Sequence, residues 1–78
     1  MRILLTGGGG FLGAWIANRL TRGNVAVRVF ERHDDRTLAR TIVGDAADRL
    51  DWHVGDIVDT GAVAAAAEGC DGIVHLAG

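Results

Sequence analysis

Lysine, tyrosine and proline are absent from this sequence, and cysteine occurs once. A lone Cys70 excludes an internal disulfide, and no Cys/His spacing resembles a zinc site. This usage points to a reducing, cytoplasmic setting. Charge of one sign is also lacking. Eight basic groups, all arginine, face ten acidic ones, for a net charge of −2. No basic field exists to draw nucleic acid or an anionic membrane surface, so neither is expected as a partner. Long apolar runs are missing too: Arg2 precedes only Ile3-Leu4-Leu5 before glycines begin, which fits neither a signal peptide nor a membrane span. Seventy-eight residues allow one small domain at most. A chain of that size buries only about 60% of its unfolded surface, so its stability is marginal.

What is present alternates between two periodicities. Ile3-Leu4-Leu5 is read as a buried strand, because the glycines that follow stop any helix. From Phe11 to Arg22 the spacing is helical, with Leu12, Ile16 and Leu20 on one stripe and Gly13 and Ala17 small beside them. Arg19 and Arg22 suit the negative end of the helix dipole, and Gly23-Asn24 closes it through a left-handed cap or turn. Val25 to Phe30 is rich in β-branched residues and reads as a second strand. Asp34 or Asp35 caps a helix over Arg36 to Val43, ended by Gly44, and Asp45 to Leu50 adds a further helical turn. Leu50 to Val54 is a third strand. Asp59 or Thr60 caps an alanine-rich helix over Ala62 to Glu68, and Gly72 to Leu76 is a fourth strand. The order β-α-β-α-β-α-β predicts an α/β fold: the first portion of a doubly wound parallel sheet with right-handed crossovers.

The segment Thr6-Gly7-Gly8-Gly9-Gly10-Phe11-Leu12-Gly13 falls between the first strand and the first helix. A pyrophosphate needs backbone N–H groups at a helix N-terminus with no side chains in the way. One glycine makes the turn, one admits the phosphate, and one packs helix on strand, a role that suits Gly13. Gly8, Gly10 and Gly13 match G-x-G-x-x-G, while Gly7, Gly10 and Gly13 match a longer G-x-x-G-x-x-G. A flexible linker would not be flanked by an apolar strand and an amphipathic helix. A triphosphate-binding loop would need Gly-Lys-Ser/Thr, which is missing.

Thr6-Gly7-x-x-Gly10-x-x-Gly13 resembles the short-chain dehydrogenase/reductase superfamily, and Gly10-Phe11-Leu12-Gly13 resembles its extended branch, which includes the NAD-dependent epimerase/dehydratase family. The resemblance favours the longer glycine register and runs through the whole chain. It implies a Rossmann-type cofactor domain in which Gly7, Gly10, Phe11, Leu12 and Gly13 meet the dinucleotide. Glu31, at the end of the second strand, is placed to accept hydrogen bonds from the adenosine ribose. Its carboxylate repels a 2′-phosphate and argues for NAD, while Arg32 beside it keeps NADP open. Gly55-Asp56-Ile57 resembles the family's acidic-hydrophobic pair at adenine: Asp56 for the exocyclic amine, Ile57 for the ring. His75-Leu76-Ala77-Gly78 resembles the segment beside the cofactor, with Leu76, Ala77 and Gly78 approaching it. His75, His33 and His53 are assigned packing or surface roles rather than catalysis or metal binding. Trp15 and Trp52 are read as packing residues, and Cys70 as a partly buried, inert thiol.

The missing residues now acquire meaning. The family's chemistry rests on a tyrosine four residues before a lysine, helped by a serine or threonine, and these 78 residues contain neither tyrosine nor lysine. No catalytic residue is therefore assigned. The expected reading is residues 1–78 as the N-terminal, cofactor-binding part of a longer epimerase, dehydratase or reductase, since Gly78 would end a domain inside a cofactor loop. Its substrate, a nucleotide sugar or a related hydroxyl or carbonyl compound, would be bound by the C-terminal portion, and a homodimer would use helices beyond these residues. The alternatives are a non-catalytic redox-sensing nucleotide module and a structural remnant without nucleotide affinity.

Overall fold

The computed structural model describes residues 1–7 and 10–76. Four strands, β1 (Arg2–Thr6), β2 (Ala26–Glu31), β3 (Asp51–Val54) and β4 (Gly72–His75), form one parallel sheet in the order β3-β2-β1-β4. Helices α1 (Phe11–Arg22), α2 (Thr37–Val43) and α3 (Thr60–Ala67) make the crossovers, and a 3₁₀ segment, Gly44–Arg49, precedes β3. The expected α/β order is observed, with the helical turn expected over Asp45 to Leu50 taking the 3₁₀ form.

Alternation along the strands sorts the core into two layers. Leu5, Val27 and Val29 point to one face, where Ala17 and the half-buried Ile16 and Leu20 of α1 and Val43 of α2 cover them. Leu4 and Phe30 point to the other face and meet Ala66 of α3. The residues that let α1 approach the sheet are small: Gly13, Ala14 and Ala17 are its buried positions. Leu12, expected on the inward stripe, is 61% exposed because this close approach is made by the small residues instead.

Helix ends follow local chemistry. Asp59 caps α3, its side chain accepting from the Ala62 N–H at 3.1 Å. The formal cap of α2 is Arg36, which makes no capping bond, but the Asp35 carboxylate accepts from the Thr37 N–H at 3.1 Å. After α1 the left-handed residue is Asn24 (φ 61°) rather than Gly23, whose φ is −85°. Asparagine tolerates that conformation better than most side chains.

A guanidinium stitches the second layer. Arg28, in the middle of β2, donates from Nε to Asp51 Oδ2 on β3 at 2.7 Å, and from Nη1 to the Ala66 and Glu68 carbonyls at the end of α3, both at 2.7 Å. The Asp51 hydrogen bond raises the Arg28 pKa above its ordinary value. Three otherwise separate elements thus share one cation.

Candidate dinucleotide site

The carboxyl ends of all four strands reach one edge, where the backbone pairing runs on by one residue. Gly7 N–H donates to the Phe30 carbonyl, Gly55 N–H to the Glu31 carbonyl and Leu76 N–H to the Thr6 carbonyl, at 3.0, 2.9 and 3.0 Å. From central β1 the chain builds outward to β2 and β3, then returns to place β4 on β1's other side. Such a reversal leaves a crevice beyond the strand ends.

The turn after β1 needs glycine. Gly7 sits at φ 80°, a left-handed conformation that a Cβ would strain. Gly10 then caps α1 in an extended conformation with no side-chain capping bond, and its N–H bonds back to the Gly7 carbonyl at 3.1 Å. The first helical bond of α1 runs from Ala14 N–H to the Gly10 carbonyl. The N–H groups of the preceding turn have no acceptor within the helix, and the dipole places partial positive charge there. Phe11 and Leu12 start α1 with side chains 66% and 61% exposed, and Phe11 stacks edge-on against Trp15 at 6.5 Å. They bring backbone rather than side chains to this end of the helix. Gly13 is buried at the sheet, as the packing role requires.

A cleft of about 390 Å³ opens between this turn and the ends of β2 and β3, lined by Gly7, Gly10, Phe30, Glu31, Arg32, Gly55, Asp56, Ile57 and Val58. Six of the expected cofactor residues, Gly7, Gly10, Glu31, Arg32, Asp56 and Ile57, therefore share one cavity. Asp56 already has two partners: Oδ1 accepts from the Val58 N–H at 3.1 Å, and Oδ2 lies 3.4 Å from Arg32 Nη2. The Val58 bond, then Arg32, hold its carboxyl below the usual range. Arg32 is thus turned across the cleft towards β3, with its side chain 70% exposed.

Two participants were not singled out from the sequence. A Cβ on Gly55 would stand 2.7 Å from Cζ and 2.9 Å from Cε2 of the buried Phe30, so this position tolerates no side chain without moving the cleft floor. Thr6, fully buried, accepts from the Leu76 N–H at 3.2 Å through Oγ1, which also lies 2.7 Å from His75 Nδ1. This pins the end of β4 to β1. The only hint in sequence was Thr6 preceding the glycine run. Leu76 itself packs half-buried against the Leu5 layer, and Ala77 and Gly78 lie outside the described residues. Cys70 is half-buried, with Sγ 3.7 Å from the Ala66 carbonyl. Among the described residues, no group of three or more potential ligands could hold a metal, and no helix is long and apolar enough to cross a membrane.

The family model for the 3-beta hydroxysteroid dehydrogenase/isomerase family matches residues 4–78. The chain belongs to that family. It is 36% identical to vestitone reductase of Medicago sativa, over 97% of this chain and 24% of the relative, and 32% identical to cinnamoyl-CoA reductase 2 of Arabidopsis thaliana, over 96% and 23%. The crystal structure of vestitone reductase superposes with a TM-score of 0.80 at 38% identity, covering 97% of this chain and 24% of that one. A short-chain dehydrogenase/reductase superfamily protein from Agrobacterium tumefaciens with bound NAD superposes with a TM-score of 0.75 at 25% identity, covering 99% and 20%. The chain spans about a quarter of the length of these curated relatives. The extended short-chain resemblance and the Rossmann-like fold stand.

Proposed function

We propose that this chain is the cofactor-binding N-terminal portion of an NAD(P)-dependent oxidoreductase that interconverts a hydroxyl and a carbonyl group on a small molecule, with NAD as the preferred dinucleotide. The observation that carries the reading is the cleft in which Gly7, Gly10, Glu31, Asp56 and Ile57 converge beside an uncapped helix N-terminus. These residues fit the group: the α1 N-terminus offers backbone donors to a pyrophosphate, and the Cβ-free Gly10 leaves the approach open. Glu31 would accept from the ribose hydroxyls, and Ile57 would supply an apolar wall for adenine. Bound NAD supplies the hydride chemistry at its nicotinamide. This segment has no tyrosine or lysine, so proton transfer to substrate would fall to residues outside it. The names of the similar plant reductases favour a carbonyl-bearing substrate over a nucleotide sugar.

Calorimetric titration tests the reading. NAD is expected to bind, and more tightly than NADP. Among the described residues a Cβ on Gly10 meets the Gly7 carbonyl at an ordinary 3.5 Å, so Gly10→Val is expected to fold yet lose dinucleotide binding. Normal NAD binding by this variant would remove the phosphate-loop assignment. Glu31→Ala is expected to shift preference towards NADP, and unchanged selectivity would assign that choice to other residues.

A further inference from the structure

A second, smaller cleft of about 220 Å³ lies on the α2 side of Glu31. Gly10 and Glu31 line both clefts, so a ribose held by Glu31 would sit where they meet. The smaller one is completed by His33, Asp35, Thr37 and Leu38. Resting on the dinucleotide reading above, we infer that Asp35 is a specificity-determining residue for the cofactor, a second carboxylate that, with Glu31, keeps a 2′-phosphate out of this cleft.

Three features support the role. First, the carboxylate is fixed: the Thr37 N–H donates to Oδ1 at 3.1 Å. The Thr37 hydroxyl, then this N–H, lower the Asp35 pKa, so the group is charged at neutral pH. Second, the neighbouring arginines are directed elsewhere. Arg32 lines the larger cleft and pairs with Asp56. Arg36 pairs with Asp34 at 2.7 Å and Asp48 at 3.4 Å, and its guanidinium stacks 5.1 Å from the centre of the Trp52 ring. His33 is the one lining side chain here able to carry positive charge, against two carboxylates. Third, the loop bearing Asp35 is tethered just past that residue, through Arg36 to Asp48 of the 3₁₀ segment and Trp52 of β3, and through Thr37 at the start of α2. The Asp35 charge is therefore held in place when a phosphate approaches.

Dissociation constants for NAD and NADP, measured on the wild-type protein, Asp35→Asn and Glu31→Gln, decide the matter. Asparagine keeps an oxygen for the Thr37 N–H and removes only the charge. NADP is expected to bind about three- to tenfold more tightly to Asp35→Asn, with NAD affinity held within about twofold, as removal of one charge at short range in a solvated cleft predicts. The gain should shrink in about 1 M salt, where the screening length falls to about 3 Å. An unchanged NADP-to-NAD ratio overturns the assignment while leaving the dinucleotide reading intact. Equal weakening of both cofactors, with a lowered melting temperature, would show a capping role alone and also overturn it. A wild-type protein that binds neither dinucleotide overturns the inference together with the reading beneath it.

Discussion

Arg28 and Arg32 stand one helical turn apart in number but on a single strand and its exit, and the molecule uses them oppositely. Arg28 is in the sheet interior, 11% exposed, with three bonds at 2.7 Å. Arg32, just past the strand end, is 70% exposed and holds Asp56 at 3.4 Å. Burial makes the bond to the Ala66 carbonyl the most costly to lose, because that carbonyl has little water to turn to, while the bonds to Asp51 and Glu68 are part-buried. Solvent makes the Arg32 pair easy to break and remake. The middle of β2 therefore carries the fold, while the pair just past its carboxyl end contributes little to it.

Removing the interior cation should have the largest effect. Arg28→Met, which keeps the apolar stem, is expected to destabilise by about 3 kcal/mol in urea unfolding, since two carbonyls and Asp51 lose their donor together. The same variant sharpens the comparison through pH. Asp51 is held below the usual carboxylate range, first by its bond to Arg28. A lowered folded-state pKa contributes stability that is present above about pH 3.9, the unfolded value, and is lost as pH falls through the folded value. Arg28→Met should therefore flatten the acid side of the stability curve. An unaltered acid limb would mean that the Arg28–Asp51 bond is not what holds Asp51 down.

Gly55→Ala should come next. Its Cβ meets the Phe30 ring at 2.7 Å, and crowding of this kind costs about 1–3 kcal/mol. Dinucleotide affinity should fall as well, because Phe30 floors the cleft. A variant as stable as wild type would show that the ring has room to move. The smallest effect belongs to the strand end: Arg32→Ala should change stability by no more than about 0.5 kcal/mol. A loss as large as that of Arg28→Met would erase the distinction between the two arginines.

The legible parts of the fold were those encoded over short distances. The shift from strand to helix spacing at Phe11 set α1 to its observed limits, and the glycine turn lay where an apolar strand ran into it. Asp59 was one of two cap candidates for α3 because side chain and N–H lie three residues apart; the helix it caps starts at Thr60, two residues earlier than the alanine run suggested. Boundaries of β2 and α2 moved by a residue because pairing with β1, and an Asp35 bond that skips the formal cap, decide them. Long-range contacts were not legible. Arg28 reaches Ala66 and Glu68, and Gly55 is constrained by a ring 25 positions earlier, which no local pattern marks. Asp56 and Arg32 were each singled out in the sequence, but their mutual pairing across the cleft required the fold.

The most direct test of the account is an NAD titration of the ¹⁵N-labelled protein followed by amide resonances. Saturable shifts are predicted at the carboxyl edge of the sheet, at Gly7, Gly10, Glu31, Gly55, Asp56 and Ile57, with the opposite edge at Arg2, Ala26 and Asp71 unmoved. No saturable shifts, or shifts centred on that opposite edge, would contradict it.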